Sequence, residues 1–138
     1  MRLVFADTCY WIATVSPRDQ LHNAAKNISQ SLNEYRIFTT DAVLIELLNY
    51  FAEDGEYLRK AACSVVSRIQ QDPNITVLEQ TRQVLQAAIK LYSDRLDKGY
   101  SLTDCISMIS MWNQQIIEVL TDDHHFRQEK FSTLLSKE

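Results

Sequence analysis

Apolar residues recur along this chain in two rhythms. Four short, largely apolar runs, at Arg2–Ala6, residues 35–39, Ile75–Leu78 and residues 116–120, read as buried strands. Between them the spacing changes to threes and fours. Behind Asp19, placed to cap a helix, the stripe is Leu21, Ala24, Ala25, Ile28 and Leu32. Behind Thr40-Asp41 it is Leu44, Leu47, Leu48 and Phe51, running on toward Gly55. Glu56–Gln71 carries Leu58, Ala61, Ala62, Val65, Val66 and Ile69, and Asp72-Pro73-Asn74 breaks it. Residues 81–97 carry Val84, Leu85, Ala88, Leu91 and Tyr92 and stop at Gly99. Residues 104–114 turn Cys105, Met108, Ile109 and Trp112 inward. Shorter helical turns are expected at residues 10–15 and His124–Gln128, and an edge strand at residues 131–135. Strands alternating with helices predict a three-layer α/β/α fold around a central, mostly parallel sheet of four to five strands.

Composition narrows this further. At 138 residues the whole chain, 1–138, fits one domain with a core that needs no staples. Two Gly and two Pro leave little room for long irregular loops. Cys9, Cys63 and Cys105 form no zinc spacing, and an odd count without a secretory signal predicts reduced thiols in the cytoplasm. No apolar run approaches a membrane span. The net charge of −4, with basic residues scattered, argues against a generic nucleic-acid coat. It leaves room for an enzyme that grips one phosphodiester through bound metal.

The chemistry-bearing feature is the placement of four acids. Asp7 closes the first strand, Glu46 lies early in the helix that starts at Asp41, and Asp104 follows the helix-start signature Ser101-Leu102-Thr103. An acid of the pair Asp122-Asp123 follows the fourth strand, and chemistry alone does not choose between the two. Ligands of α/β proteins bind outside the carboxyl ends of parallel strands. Carboxylates gathered there repel, at about 3 kcal/mol per pair for about 5 Å and an effective dielectric near 20. A hard, oxygen-seeking divalent cation such as Mg²⁺ would offset that. Each acid also has a plainer role: Asp7 as an N-cap, Glu46 on a solvated face, Asp104 in a capping box, and Asp123 in a turn. Adjacent histidines on a helical turn point apart. His124 and His125, lacking a third nitrogen or sulfur ligand at a recognisable spacing, are therefore not expected to hold a metal.

Four segments then fall into one order: Phe5-Ala6-Asp7-Thr8-Cys9-Tyr10-Trp11, Thr40-Asp41-x4-Glu46-Leu47-Leu48-Asn49, Asp97-Lys98-Gly99-Tyr100-Ser101-Leu102-Thr103-Asp104-Cys105, and Leu120-Thr121-x-Asp123-x-His125-Phe126. Together they resemble the motifs of PIN-domain ribonucleases, especially the small single-domain VapC-type toxins. The resemblance spans nearly the whole chain. It assigns the fourth acid to Asp123. Many relatives carry a glycine after His-Phe, whereas Arg127-Gln128-Glu129-Lys130 here contains none, which leaves the form of that turn open.

The resemblance implies Mg²⁺- or Mn²⁺-dependent hydrolysis of phosphodiester bonds in RNA. Asp7, Asp104 and Asp123 would be direct ligands, and Glu46 a ligand or a proton acceptor. Thr8, Thr103, Thr121 and Asn49 would support them. A small antitoxin and a homodimer contact are the expected protein partners. The two helices over residues 41–54 and Glu56–Gln71 leave room for a partner groove marked by Tyr50, Tyr57 and Val66. The alternatives are a non-catalytic binding module of the same fold and a stand-alone RNA-processing nuclease.

Overall fold

A computed structural model describes residues 1–136. Its centre is a five-stranded, wholly parallel sheet with helices packed against it. The strands are β1 (Arg2–Ala6), β2 (Tyr35–Thr40), β3 (Ile75–Leu78), β4 (Glu118–Leu120) and β5 (Ser132–Thr133), in the order β3-β2-β1-β4-β5. β1 lies in the middle, and its Val4, Phe5 and Ala6 are fully buried because neighbours cover both faces and both edges. The chain builds outward from β1 through β2 to β3. It then crosses to the other side of β1 to lay down β4 and β5. The order therefore reverses between β1 and β4, where Ala6 pairs with Leu120. In parallel sheets that reversal opens a crevice at the carboxyl ends of the two strands.

The helices are α1 (Thr8–Val15), α2 (His22–Ser29), α3 (Asp41–Tyr50), α4 (Glu56–Gln71), α5 (Arg82–Asp94), α6 (Leu102–Gln114) and α7 (His124–Gln128), with a 3-10 turn at Leu32–Glu34. Thr40 and Thr81 start α3 and α5 by accepting hydrogen bonds from Val43 N and Val84 N. α6 starts with a reciprocal box: the Ser101 hydroxyl accepts from Asp104 N, and the Asp104 carboxylate accepts from Ser101 N.

Several boundaries differ from the sequence expectation. Asp19 does not cap α2; it accepts from Leu21 N in a turn ahead of the helix, which begins at His22. α3 stops at Tyr50 rather than running to Gly55, because residues 51–54 form turns and Gly55, at φ 93°, caps α4. α5 stops at Asp94, before a turn that ends at Gly99. Trp112 is 42% exposed instead of inward-facing, its ring leaning on Phe131 at 5.5 Å; Met111 takes the buried position. Leu48 is likewise exposed while Val43 is buried. The turn after α7 is made without glycine: Lys130 adopts φ 75°, the left-handed conformation a glycine would take more cheaply. β5 is shorter than expected, but Leu134 N and Leu135 N extend its bonding to Val119 O and Thr121 O.

Candidate active site

The carboxyl ends of β1 and β4 carry Asp7 and the segment Thr121-Asp122-Asp123, and the later part of α3 and the first turn of α6 face them. Asp7, Glu46, Asp104 and Asp123 line one cleft of about 450 Å³, together with Thr8, Asn49 and Tyr50. Asp122 lies outside it, lining a neighbouring cavity with Asp19 and Leu21. A larger cavity, about 830 Å³, runs along the start of α4 between Ala52 and Ser64. Its two acids, Glu53 and Glu56, are matched there by Arg59 and Lys60, so the chemistry points to the smaller cleft.

Asp7 occupies the N-cap position of α1 but its carboxylate makes no capping bond. Instead Oδ2 accepts a hydrogen bond of 2.9 Å from the Thr121 hydroxyl, tying β1 to the end of β4. With 5% exposure, burial is the main force raising its carboxyl from 3.8 to about 7. The charge of Asp104 adds to that, and the bonds from Thr121 and the Thr8 amide partly oppose it. Thr121 Oγ1 is a hub. It also accepts from Asp123 N at 3.1 Å and lies 3.0 Å from Cys9 Sγ. Its single proton goes to Asp7, so the Cys9 thiol is the donor in that contact. Burial, followed by the charge of Asp7, raises the Cys9 thiol far above its ordinary range and keeps it a thiol.

Asp104 both caps α6 and faces the cleft. Burial raises its carboxyl, with the charge of Asp123 acting in the same direction against the bonds from Ser101. Asp123 caps α7, accepting from His125 N at 2.9 Å. Glu46 is half-buried on α3 and Asn49 is exposed beside it. Thr8 is buried, and its hydroxyl has no hydrogen-bond partner. Thr103 is half-buried and does not line the cleft.

Two contributors went unassigned in the sequence. His125 Nδ1 lies 3.1 Å from Asp123 Oδ1 and 3.7 Å from Asp104 Oδ2, joining two of the acids. The Asp-x-His spacing was visible but carried no role. Behind it Tyr100 sets its ring edge-on to His125 at 5.4 Å and donates its hydroxyl to Glu129 at 2.8 Å. Arg95 donates to the same carboxylate from Nε and Nη2. Burial pushes the Glu129 carboxyl up, but the bonds from Arg95 and Tyr100 outweigh it, so its pKa lies below the ordinary value. Nothing in local sequence links residues 34 apart.

No lysine or arginine lines the cleft among the described residues. Four carboxyl groups therefore face one cavity without a lysine or arginine, two of them raised by burial and mutual repulsion. The Thr8 hydroxyl is buried there without a hydrogen-bond partner, as is His125 Nδ1 beside Asp123 and Asp104. An oxygen-rich donor set with uncompensated negative charge fits a hard divalent cation.

The model of the PIN domain family matches residues 4–131. Among solved structures, the chain is similar to VapC20 of Mycobacterium tuberculosis, described as a Sarcin-Ricin loop cleaving toxin. The TM-score is 0.86 at 21% identity, covering 96% of this chain and 99% of that one. It is also similar to VapBC2 from Rickettsia felis, bound to a DNA fragment from their promoter, at TM-score 0.68 and 10% identity over 95% and 96% of the two chains. FitAcB from Neisseria gonorrhoeae gives TM-score 0.66 at 16% identity, again over 95% and 96%. At these identities the likeness is one of fold. No curated protein matches the chain. Among the described residues no helix is long and apolar enough to cross a membrane.

Proposed function

Residues 4–131 make this chain a member of the PIN domain family, and from that membership we propose that it is an endoribonuclease dependent on Mg²⁺ or Mn²⁺. One observation carries the proposal: Asp7, Glu46, Asp104 and Asp123 converge on a cleft that, among the described residues, no lysine or arginine lines. A binding module has no need of such an arrangement, which costs stability (Asp7 alone is raised to about 7).

Asp7, Asp104 and Asp123 are the residues that would hold the cation, with Glu46 completing the set or accepting a proton. A divalent cation held there supplies Lewis acidity and neutralises charge on phosphodiester oxygens. The remaining work belongs to the chain itself. Thr121 fixes the Asp7 carboxylate by a donated bond and the Asp123 backbone by an accepted one, so one hydroxyl ties both acids together. The Ser101 box orients Asp104 at a helix N-terminus, where negative charge is favoured. Thr8, with its free hydroxyl, and Asn49 line the walls where a ribose or phosphate would lie.

The similarity to VapC20 and VapBC2 supports placing the nuclease in a toxin–antitoxin pair. The antitoxin would cover Tyr50 and Tyr57, exposed by 56% and 82% beside the α3–α4 turn, with half-buried Val66 further along α4. Incubation with a panel of structured RNAs tests the central reading. Wild type should cut with Mg²⁺ or Mn²⁺, and fail with EDTA. Asp104→Asn should fail with either metal. Cutting that survives EDTA or the substitution would defeat it.

A further inference from the structure

Next to the acid cleft the first turn of α7 gathers donors of a different kind. Ligand atoms of Asp123, His124 and His125 all lie within 4.8 Å of one another. His125 Nδ1 is 3.1 Å and His124 Nδ1 3.7 Å from the same Asp123 oxygen. Neighbouring ligands on one metal, each about 2.1 Å from it, stand roughly 3 to 3.5 Å apart. The spacing is therefore close to what a shared cation requires.

The nitrogen of His125 gives a second reason. It is buried and has no hydrogen-bond partner, because its ring is not angled to bond with Asp123 despite the short distance. It faces the carboxylates of Asp123 and Asp104. The ring is also fixed from behind by Tyr100, which Glu129 anchors. His124, 64% exposed, stacks on it with ring centroids 4.4 Å apart and leaves the group open to solvent. From sequence, adjacent histidines are expected to point apart and no third nitrogen or sulfur ligand has a recognisable spacing. The preceding residue supplies an oxygen instead: as N-cap, Asp123 folds its carboxylate back over the first turn toward both rings.

We propose that Asp123, His124 and His125 form a binding site for a borderline first-row cation such as Zn²⁺ or Co²⁺, distinct in preference from the all-oxygen cleft beside it. Imidazole nitrogens favour Zn²⁺, Co²⁺ and Ni²⁺, whereas Mg²⁺ prefers oxygen and retains its waters. Asp123 belongs to both groups, so a cation bound at the histidines draws one carboxylate out of the acid cleft. The binding does not depend on the nuclease reading and is tested apart from it.

The chain has three histidines, and His22, whose Nδ1 contacts Ala13 O at 2.7 Å, serves as an internal control. Metal-free ¹⁵N-labelled protein is titrated with Zn²⁺ and the imidazole nitrogens are followed by NMR. The ring nitrogens of His124 and His125 should shift together and saturate at one equivalent, with His22 unmoved; Mg²⁺ at the same concentration should leave the exposed His124 nitrogens in place. His124→Asn, a surface change that spares the fold, should weaken Zn²⁺ and Co²⁺ binding by more than about tenfold, at least the loss that removing an outer partner causes. Asp7→Asn should leave the histidine shifts in place. Zn²⁺ that leaves the His124 nitrogens unmoved, binds His124→Asn as tightly as wild type, or shifts His22 equally would overturn the site.

Discussion

Replacing Asp7 by Asn should stabilise the metal-free protein, and far more at pH 8 than at pH 5. The carboxyl is raised from 3.8 to about 7 by burial and then by the charge of Asp104. Below its unfolded value both states are neutral and there is no penalty. Between 3.8 and about 7 the folded state keeps a proton that the unfolded chain has released, so stability falls as pH rises through that window. Above about 7 the penalty is complete. At about 1.4 kcal/mol for each tenfold change in proton affinity, it reaches about 4 kcal/mol, of which roughly a third has accrued by pH 5. Asn keeps an oxygen to accept the Thr121 hydroxyl and removes the charge. The gain at pH 8 should raise Tm by something on the order of 10 °C for a domain of this size. Urea denaturation in EDTA, at both pH values, isolates the effect, because every other titrating group is common to the two proteins. Mn²⁺ should then narrow the gap by stabilising wild type more than the variant. A gain no larger at pH 8 than at pH 5, or a loss at both, refutes the account of a buried, self-repelling cluster.

In RNA cleavage assays Asp123→Asn should lose activity by orders of magnitude while Asp122→Asn stays near wild type, since only Asp123 lines the acid cleft. Tyr100→Phe should cost about 1 to 2 kcal/mol in urea denaturation by removing a bond to the Glu129 carboxylate. An unchanged midpoint would show that the link contributes nothing. Lys130→Gly should match or exceed wild-type stability and Lys130→Val should lose about 1 to 2 kcal/mol, because the position demands a left-handed backbone. Equal melting temperatures for the two variants would contradict that. Expression in a bacterial host should arrest growth, and Asp7→Asn should relieve it; harmless expression of a nuclease active in vitro would favour a housekeeping RNA-processing role.

The placement of the acids was legible because two periodicities mark where strands end and helices begin, and Asp7, Asp104 and Asp123 sit at those marks. Strand adjacency was not legible. That β4 rather than β3 borders β1 follows from the crossover, and only then does Thr121 come to serve Asp7. Thr121 was within reach as a supporting residue, whereas the Cys9 thiol and the Arg95–Glu129–Tyr100 set were not. Their partners lie 29 to 112 residues away, beyond any periodic signal. Helix faces misread in the sequence, Trp112 and Leu48 among them, failed because apolar spacing finds a stripe but not what covers it.

The position of β1 at the centre of the sheet also governs when the cleft comes into being. Asp7 is made 114 residues ahead of Thr121, whose hydroxyl orients it from the far side of the crossover. At about 5 to 20 residues per second, on the order of ten seconds separate the synthesis of the two. Before that, a nascent chain can lay β1, β2 and β3 side by side, with Asp7, Glu46 and Asp104 already translated but no β4 to complete the cleft. The central strand is thus made before every strand that flanks it, and the candidate active site assembles only once β4 has been added. Polypeptides released early from translation would carry three of the four acids and none of the geometry.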